Sequence, residues 1–171
     1  LWLAMWLDVK MKLKKAYGIH SGTIVVDTAS ELYELNRLAR FGKLTQVMPH
    51  NYVEVNNEWR EVMRWAYDSP MNTIFIHKMK SKWVNNTRTS EYEVAGFGDI
   101  EYMVQINLRT MGETVDGELR PAVMIKDCRI VKEPKNPTDT IVSIAGTLLE
   151  GPMCDFESLN AACAMMAAVI S

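Results

Sequence analysis

The sequence predicts an α/β fold with a mostly parallel central sheet, flanking helices and an antiparallel hairpin near the C-terminal end. Two short runs, at residues 23–27 and 72–77, are apolar and rich in β-branched residues. Such runs without polar alternation are typical of strands buried on both faces of a parallel sheet. Helical spacing of apolar residues precedes the first run and fills the interval between the two. We therefore predict a strand–helix–strand unit at the centre of the fold.

The helix boundaries follow from capping and breaking residues. Residues 1–20 carry apolar side chains at three- and four-residue spacing with lysines between them, which predicts an amphipathic N-terminal helix that covers a core. Thr28 and Glu31 have the spacing of a capping box, so a second helix should start directly after the first strand. A third helix is predicted around Val55 and should stop near Ser69, which precedes a proline.

The rest of the chain is predicted as a long loop followed by antiparallel strands. Residues 78–98 are polar with little periodicity, which favours a functional loop. Strands at residues 104–110 and 122–130 flank the turn signal Asp116-Gly117 and should form a hairpin. A C-terminal strand and helix are predicted over residues 140–171.

Within that last segment, the strand is expected at residues 140–147, and Asp155 is expected to cap a helix that continues through Ile170. The chain has 171 residues, of which 48% are hydrophobic, and this supports one sizeable core. We therefore predict a single domain over residues 1–171.

Charge and cysteine content narrow the classes of function. The formal net charge of −2 gives no overall attraction to nucleic acid or to an anionic membrane, so any DNA contact must come from a local basic patch. The three cysteines lack CxxC spacing and the three histidines are scattered, so neither a disulfide framework nor a zinc site is indicated. We predict a reducing, intracellular setting. Charges from Asp8 onward come too early for a membrane span, so no membrane partner is predicted.

Asp27 is the most informative single residue. It follows an apolar strand and precedes a helix, which is where P-loop ATPases place the aspartate that orders the water shell of a nucleotide-bound magnesium ion. The same pattern is common in α/β proteins in which the acid only caps the following helix, so both interpretations stay open. Glu31 and Glu34 are nearby acids, which helix capping and a solvated helix face explain.

The order of the segments around Asp27 carries a family resemblance. The string Val25-Val26-Asp27-Thr28 and a helix are followed by the run at residues 73–78, a polar loop with glycines, and the runs at residues 104–109 and 122–126. Over residues 23–131 the chain resembles the second half of the RecA-like P-loop ATPase core, and in particular the phage-encoded RecA-like AAA ATPases associated with single-strand annealing and recombination. The resemblance implies ATP and Mg²⁺ as cofactors of the complete protein, single-stranded DNA as a partner, a homo-oligomer, and a cytoplasmic location, which is the host cytoplasm for a phage-encoded protein.

The resemblance also implies roles for individual residues. Asp27 becomes the acid on the magnesium side, acting through water, and Thr28 beside it can hydrogen-bond a water molecule or a phosphate. His77 takes the polar sensor position, where RecA proteins usually carry a glutamine that reports the γ-phosphate to the DNA-binding loop. A surface or capping histidine is the alternative for His77. Lys126 falls where RecA filaments place a lysine that reaches the nucleotide of the adjacent subunit, and Arg109 is equally explained as a charge-pairing residue at the sheet edge.

Residues 78–98 match the DNA-facing loops of the family. Their basic side chains would contact phosphates, and their aromatic side chains would offer a stacking face for an unpaired base. The residues expected in these roles are Lys78, Lys80, Lys82 and Arg88 for the phosphates and Trp83 or Tyr92 for the base. A solvated surface loop explains the same composition and stays the alternative.

The phosphate-binding loop of the family has no counterpart here. That loop needs Gly-x-x-x-x-Gly-Lys-Ser/Thr, and the only Gly-Lys pair, Gly42-Lys43, follows a helix and precedes a leucine. In the family the loop lies upstream of the acidic strand, so this chain alone is expected to be inactive or at most weakly nucleotide-binding. Two other hypotheses stay open. One is a structural or protein-interaction module with Met165 and Met166 on a partner-binding helix; the other is a metal-dependent nuclease, for which Asp27 lacks clustered acidic ligands.

Overall fold

The computed structural model describes residues 1–44, 47–129 and 143–168. The contacts of the chain cluster in two compact units, Leu1–Ile100 (unit one) and Glu101–Ser171 (unit two). Both helices and strands are present, so the predicted mixed α/β class is confirmed at that level. The single domain over residues 1–171 stays a prediction.

Unit one contains three long helices, a parallel strand pair and an antiparallel strand pair. In chain order these elements are α1 (Trp2–Tyr17), β1 (Thr23–Asp27), α2 (Ala29–Phe41), α3 (Tyr52–Asp68), β2 (Asn72–Ile76), β3 (Met79–Val84) and β4 (Thr87–Val94). A 3-10 turn at Pro49–Asn51 precedes α3, and the one-turn helix α4 (Ile100–Met103) begins at the last residue of the unit. The first three predicted helices and the first two predicted strands are therefore confirmed.

Helix α2 begins and ends at residues that satisfy its free backbone groups. The Glu31 amide donates to Thr28 Oγ1 at 3.3 Å, so the predicted N-terminal cap is confirmed. The peptide bond between Asp27 and Thr28 is cis. At the other end, the Gly42 amide donates to the Leu38 carbonyl at 2.8 Å, and Gly42 adopts a φ of 61° that suits a residue without Cβ. Only Thr28 separates the end of β1 from the start of α2.

The parallel pair β1–β2 is covered on one face only. Its register sets Asp27 beside Ile76, and Val26 on the inner face is buried. On the outer face the apolar side chains are about half exposed, at 55% for Val25, 50% for Ile74 and 41% for Ile76. The prediction of strands buried on both faces is therefore wrong in the part of the chain that the structure describes. The parallel sheet there has two strands and is not the large central sheet expected.

Aromatic side chains from three helices and β2 build the core of unit one. Trp59 of α3 is fully buried, meets Tyr33 of α2 edge-on at 6.0 Å between ring centroids, and lies 6.4 Å from the ring of Phe75 on β2. Trp6 of α1 is also fully buried and donates its indole N–H to Glu58 at 2.8 Å. These contacts hold α1, α2 and α3 on the inner face of the parallel pair.

Residues 79–94 form a hairpin where a loop is predicted. β3 and β4 pair in antiparallel fashion around Asn85 and Asn86, whose φ angles of 51° and 60° fit a type I′ turn, in which asparagine is favoured. The hairpin is largely exposed, so its strands carry no apolar alternation toward a core. Strands are identified in a sequence by the alternation of apolar and polar residues. Because this alternation is missing here, the loop prediction is wrong.

In its described residues, unit two contains a three-stranded antiparallel sheet and one long helix. Its strands are β5 (Ile106–Val115), β6 (Glu118–Cys128) and β7 (Leu148–Glu150), in the spatial order β5-β6-β7. Asp116 and Gly117, with φ angles of 54° and 83°, form the predicted hairpin turn, which is confirmed. A 3-10 turn at Gly151–Met153 leads to α5 (Phe156–Ala168), and Ala162 of α5 joins the buried side chains of β6.

The predictions for the last segment are partly wrong. Residues 143–147 are not a strand, because Gly146 turns the chain at a φ of 89°, although Gly146 and Thr147 each share a backbone hydrogen bond with Ile125 of β6. Strand β7 begins at Leu148, and residues 140–142 lie outside the described residues. Asp155 caps α5 as predicted, since its carboxylate accepts the Ser158 amide at 2.6 Å. The expected helix end at Ile170 also lies outside the described residues, as do the side chains of Met165 and Met166.

Candidate functional site

The ends of β1 and β2 bring two of the predicted site residues to one edge of the sheet. The strands are parallel neighbours, and Asp27, the last residue of β1, lies beside Ile76, the last residue of β2. His77 follows Ile76 directly. The predicted proximity of Asp27 and His77 along the carboxyl edge of a sheet is therefore present, which is where α/β proteins place ligand sites. Their roles toward a nucleotide stay predictions.

Asp27 fits a metal ion only in combination with other ligands. Its side chain is exposed at the strand end, and Thr28 uses its hydroxyl oxygen to accept the Glu31 amide. In the described residues no group of three or more His, Cys, Asp or Glu side chains could hold a metal ion. Magnesium is commonly bound through one or two carboxylates together with waters and substrate phosphates. By itself Asp27 offers one carboxylate, and its role toward a nucleotide-bound magnesium ion stays a prediction.

Ser30 is a site residue that the sequence predictions missed. It is buried in the first turn of α2, and its hydroxyl donates to the Ala95 carbonyl at 2.5 Å and accepts the Lys78 amide at 3.0 Å. His77 Nδ1 lies 3.4 Å from the same oxygen. One hydroxyl thus joins the start of α2, the residue after β2 and the residue after β4. The only sequence signal was a small polar residue inside the capping string, and nothing local shows which way it faces.

The surroundings of His77 disfavour its charged form. Burial lowers its pKa below the ordinary value, and a hydrogen bond to the Ala95 backbone opposes that shift without reversing it. Its Nε2 is buried and has no hydrogen-bond partner among the described residues. A buried nitrogen in this state can donate or accept one hydrogen bond according to its tautomer. The position is compatible with the polar contact predicted for His77.

The folded state should lose stability in acid because of His77. The folded chain has the lower pKa, so the unfolded chain binds the proton more readily, and stability falls as the pH drops below about 6.5 until the folded pKa is passed. We expect His77→Gln to flatten this decline in urea unfolding curves recorded between about pH 7.5 and about pH 5.5. His20→Gln, which changes an exposed histidine, should keep the wild-type profile. A wild-type profile for His77→Gln would contradict the assignment.

The lysines of the hairpin are paired with acids. Lys80 contacts Glu93 at 3.1 Å and Lys82 contacts Glu91 at 2.7 Å across the two strands. Lys78 forms an ion pair with Glu31 of α2. These exposed pairs contribute little to stability, but they reduce the positive potential that a phosphate would meet. The hairpin is therefore a weaker basic patch than its lysine count suggests.

The hairpin also combines aromatic and basic side chains. Trp83 is 62% exposed and lies opposite Arg88, and Arg88 Nε donates to Ser81 Oγ at 2.9 Å. Tyr92 is the cross-strand neighbour of Ser81. The strand register shifts between Ser81 and Trp83, and Lys80 and Glu93, which form an ion pair, line a cavity together with Ser81, Trp83 and Arg88. We call Ser81, Trp83, Arg88 and Tyr92 the aromatic face of the hairpin.

Two open cavities adjoin the hairpin, and neither is lined by Asp27 or His77. The larger, of about 720 Å³, follows α2 and is lined among others by Ser30, Tyr33, Lys43, Lys78 and Lys80. The smaller, of about 560 Å³, is lined by Lys80, Glu93 and three residues of the aromatic face, Ser81, Trp83 and Arg88.

The remaining predicted residues lie in unit two. Lys126 on β6 contacts Glu101 at 3.4 Å, so its ammonium group already has an acidic partner within the unit. Arg109 lies on β5, which is an edge strand of the three-stranded sheet as described. The proposed contact of Lys126 with the nucleotide of an adjacent subunit stays a prediction.

Comparison with known proteins does not assign this chain to a family. Among the described residues no helix combines the length and the apolar character that crossing a membrane requires. No protein-family model, no curated protein and no solved structure matches this chain.

Proposed function

We propose that this chain is part of an ATP- and magnesium-dependent, DNA-binding recombination protein with a RecA-like core, which assembles as a homo-oligomer. In this proposal the chain contributes the metal-side acid, the sensor position and a hairpin that contacts single-stranded DNA. One observation carries the proposal: Asp27 and His77 leave the same edge of a parallel strand pair, and the hairpin starts within two residues of His77.

The nucleotide part of the proposal rests on that edge. Asp27 would order the water shell of a magnesium ion that arrives with the nucleotide phosphates. His77 would make the polar contact that responds to the terminal phosphate. The Ser30 hydroxyl lies against His77 and accepts a hydrogen bond from the Lys78 amide. A movement of His77 on nucleotide binding would therefore be transmitted through Ser30 to Lys78 and the start of the hairpin. Since the chain has no phosphate-binding loop, we do not expect it to hydrolyse ATP by itself.

The DNA part of the proposal rests on the aromatic face. An exposed indole offers a surface on which any base can stack, and Arg88 beside it offers a cation for a neighbouring phosphate. The lysine–glutamate pairs of the hairpin restrict the charge available to phosphates. This arrangement favours a binding mode that is moderate in affinity, indifferent to sequence and sensitive to salt.

Salt-dependent binding to single-stranded DNA tests the proposal. We expect a fluorescein-labelled oligothymidine to bind at low salt, with an affinity that falls as salt rises. Replacing Lys78, Lys80 and Lys82 together by alanine should weaken binding and reduce the slope of log K against log salt by about 0.7 for each phosphate that the variant no longer neutralises. Fluorescence anisotropy across a salt series measures both quantities.

Three lysines of α1 provide the matched control. Lys12, Lys14 and Lys15 are exposed and lie outside the hairpin, so their combined replacement by alanine removes the same charge from another surface. The control should keep most of the affinity. If both triple variants lose binding equally, the effect comes from net charge and the hairpin has no special role.

A second candidate function is a non-catalytic protein-interaction module with a RecA-like fold. The observation that favours it is the outer face of β1–β2, where Val25, Ile74 and Ile76 are about half exposed. Parallel strands are usually covered on both faces, so this surface is suited to a partner. Absence of DNA binding even at low salt would favour this candidate over the first.

A further inference from the structure

The two cavities beside the hairpin meet at one residue. Lys80 of β3 lines both the cavity at Trp83 and Arg88 and the larger cavity along α2. A ligand chain that passes Lys80 can therefore contact residues of both cavities. We call the two cavities, which share Lys80, the α2 groove.

The groove follows α2 for its whole length. Ser30 and Glu31 line it at the first turn of the helix, and Leu38 and Lys43 line it at the far end. A helix of this length spans roughly 18 Å at 1.5 Å per residue. That distance corresponds to about five nucleotides at the 3.4 Å spacing of a stacked strand, and to fewer in an extended strand.

The far end of the groove carries a positive charge, that of Lys43, without an acidic partner among the described residues. Glu31 is paired with Lys78, and Glu34 with Arg37 at 2.5 Å, while Arg37 also donates to the Leu44 carbonyl at 3.0 Å. Both carboxylates that line the groove are thereby compensated. Lys43 is exposed, and no acidic side chain within residues 1–44, 47–129 and 143–168 pairs with it.

We propose that a single strand of DNA bound at the aromatic face continues along the α2 groove, and that Lys43 forms a distal phosphate-binding subsite. This inference rests on the proposed DNA-binding function and adds to it a direction and a second contact point. Tyr52, which lines the same cavity as Lys43, has its ring centroid 5.8 Å from that of Phe41. Phosphate contacts of this kind position a strand without reading its sequence.

Oligothymidines of two lengths test the subsite. A short oligonucleotide of about four nucleotides should occupy the aromatic face alone, and one of about 12 nucleotides should also reach Lys43. We expect Lys43→Ala to reduce the salt slope by about 0.7 for the longer oligonucleotide and to leave the shorter one unchanged. Lys43→Arg should retain the wild-type slope because it keeps the charge. Lys15→Ala, at an exposed lysine of α1 that lines neither cavity, should match the wild type for both lengths.

Trp83→Ala shows whether a negative result for Lys43→Ala concerns the distal subsite alone or DNA binding at the hairpin as well. If Trp83→Ala weakens both lengths while Lys43→Ala changes neither, DNA binds at the hairpin and the distal subsite is wrong. If neither substitution weakens binding, both the subsite and the assignment of DNA binding to the aromatic face are wrong. An equal effect of Lys43→Ala on both lengths also overturns the subsite, because a distal contact should matter only to a strand long enough to cover the whole groove.

Discussion

Replacing Trp59 by alanine is expected to destabilise unit one by about 3 to 5 kcal/mol, the usual cost of removing a fully buried aromatic side chain. Trp59 has no exposed surface and contacts the rings of Tyr33 and Phe75, so its removal leaves a cavity between α2, α3 and β2. A loss of this size is a large part of the stability of an ordinary domain. Urea unfolding followed by far-ultraviolet circular dichroism measures it through the midpoint.

Two further substitutions show whether the loss comes from packing. Tyr67, also on α3, is 74% exposed, and Tyr67→Ala should change the stability by no more than about 0.5 kcal/mol. Trp59→Phe should cost less than Trp59→Ala, since it retains a ring between Tyr33 and Phe75 and removes an indole N–H that has no acceptor among the described residues. A midpoint for Trp59→Ala close to that of Tyr67→Ala would show that the core is placed wrongly.

Loss of the Trp83 ring should weaken the binding of single-stranded DNA by about 1 to 3 kcal/mol, which is the usual contribution of one stacked base. This corresponds to a roughly fivefold to 150-fold increase in Kd. Trp83 is 62% exposed, so Trp83→Ala should leave the unfolding midpoint nearly unchanged. Fluorescence anisotropy with a labelled oligothymidine at fixed low salt measures the affinity.

Neighbouring positions give the controls for the stacking prediction. Trp83→Phe keeps an aromatic face and should retain part of the affinity. Val84, the next residue on β3, is 48% exposed and projects to the other face of the strand, so Val84→Ala should bind DNA like the wild type. If Val84→Ala weakens binding as much as Trp83→Ala does, the hairpin responds to general disruption and not to the loss of stacking.

Much of the candidate site was open to prediction because its parts are adjacent in sequence to strong signals. Asp27 and His77 follow apolar runs, and runs of that kind become parallel strands whose ends lie together. Ser30 was missed because its partners, His77 and Ala95, are 47 and 65 residues away in sequence. The acids that pair with the hairpin lysines were missed for a related reason: their positions became meaningful only once the strand register was known.

The errors in the fold have the same origin. A run such as Val25-Val26 has the composition of a buried strand, yet composition does not show how many layers cover it, and Val25 is 55% exposed. The hairpin of β3 and β4 was predicted as a loop because neither strand faces a core. Its turn at Asn85-Asn86 is the signal that was available, since consecutive asparagines favour the positive φ angles of a type I′ turn.

The sequence alone determined those helices and turns that depend on interactions between residues close together in the chain. Thr28 and Asp155 cap helices, Asp116-Gly117 turns a hairpin, and helical spacing of apolar residues marks α1, α2 and α3, since each of these interactions is completed within a few residues. Only the tertiary structure decided which strand faces stay exposed, which acids pair with the hairpin lysines, and that Ser30 meets His77. Those outcomes depend on neighbours far apart in the chain, and no short-range pattern records them.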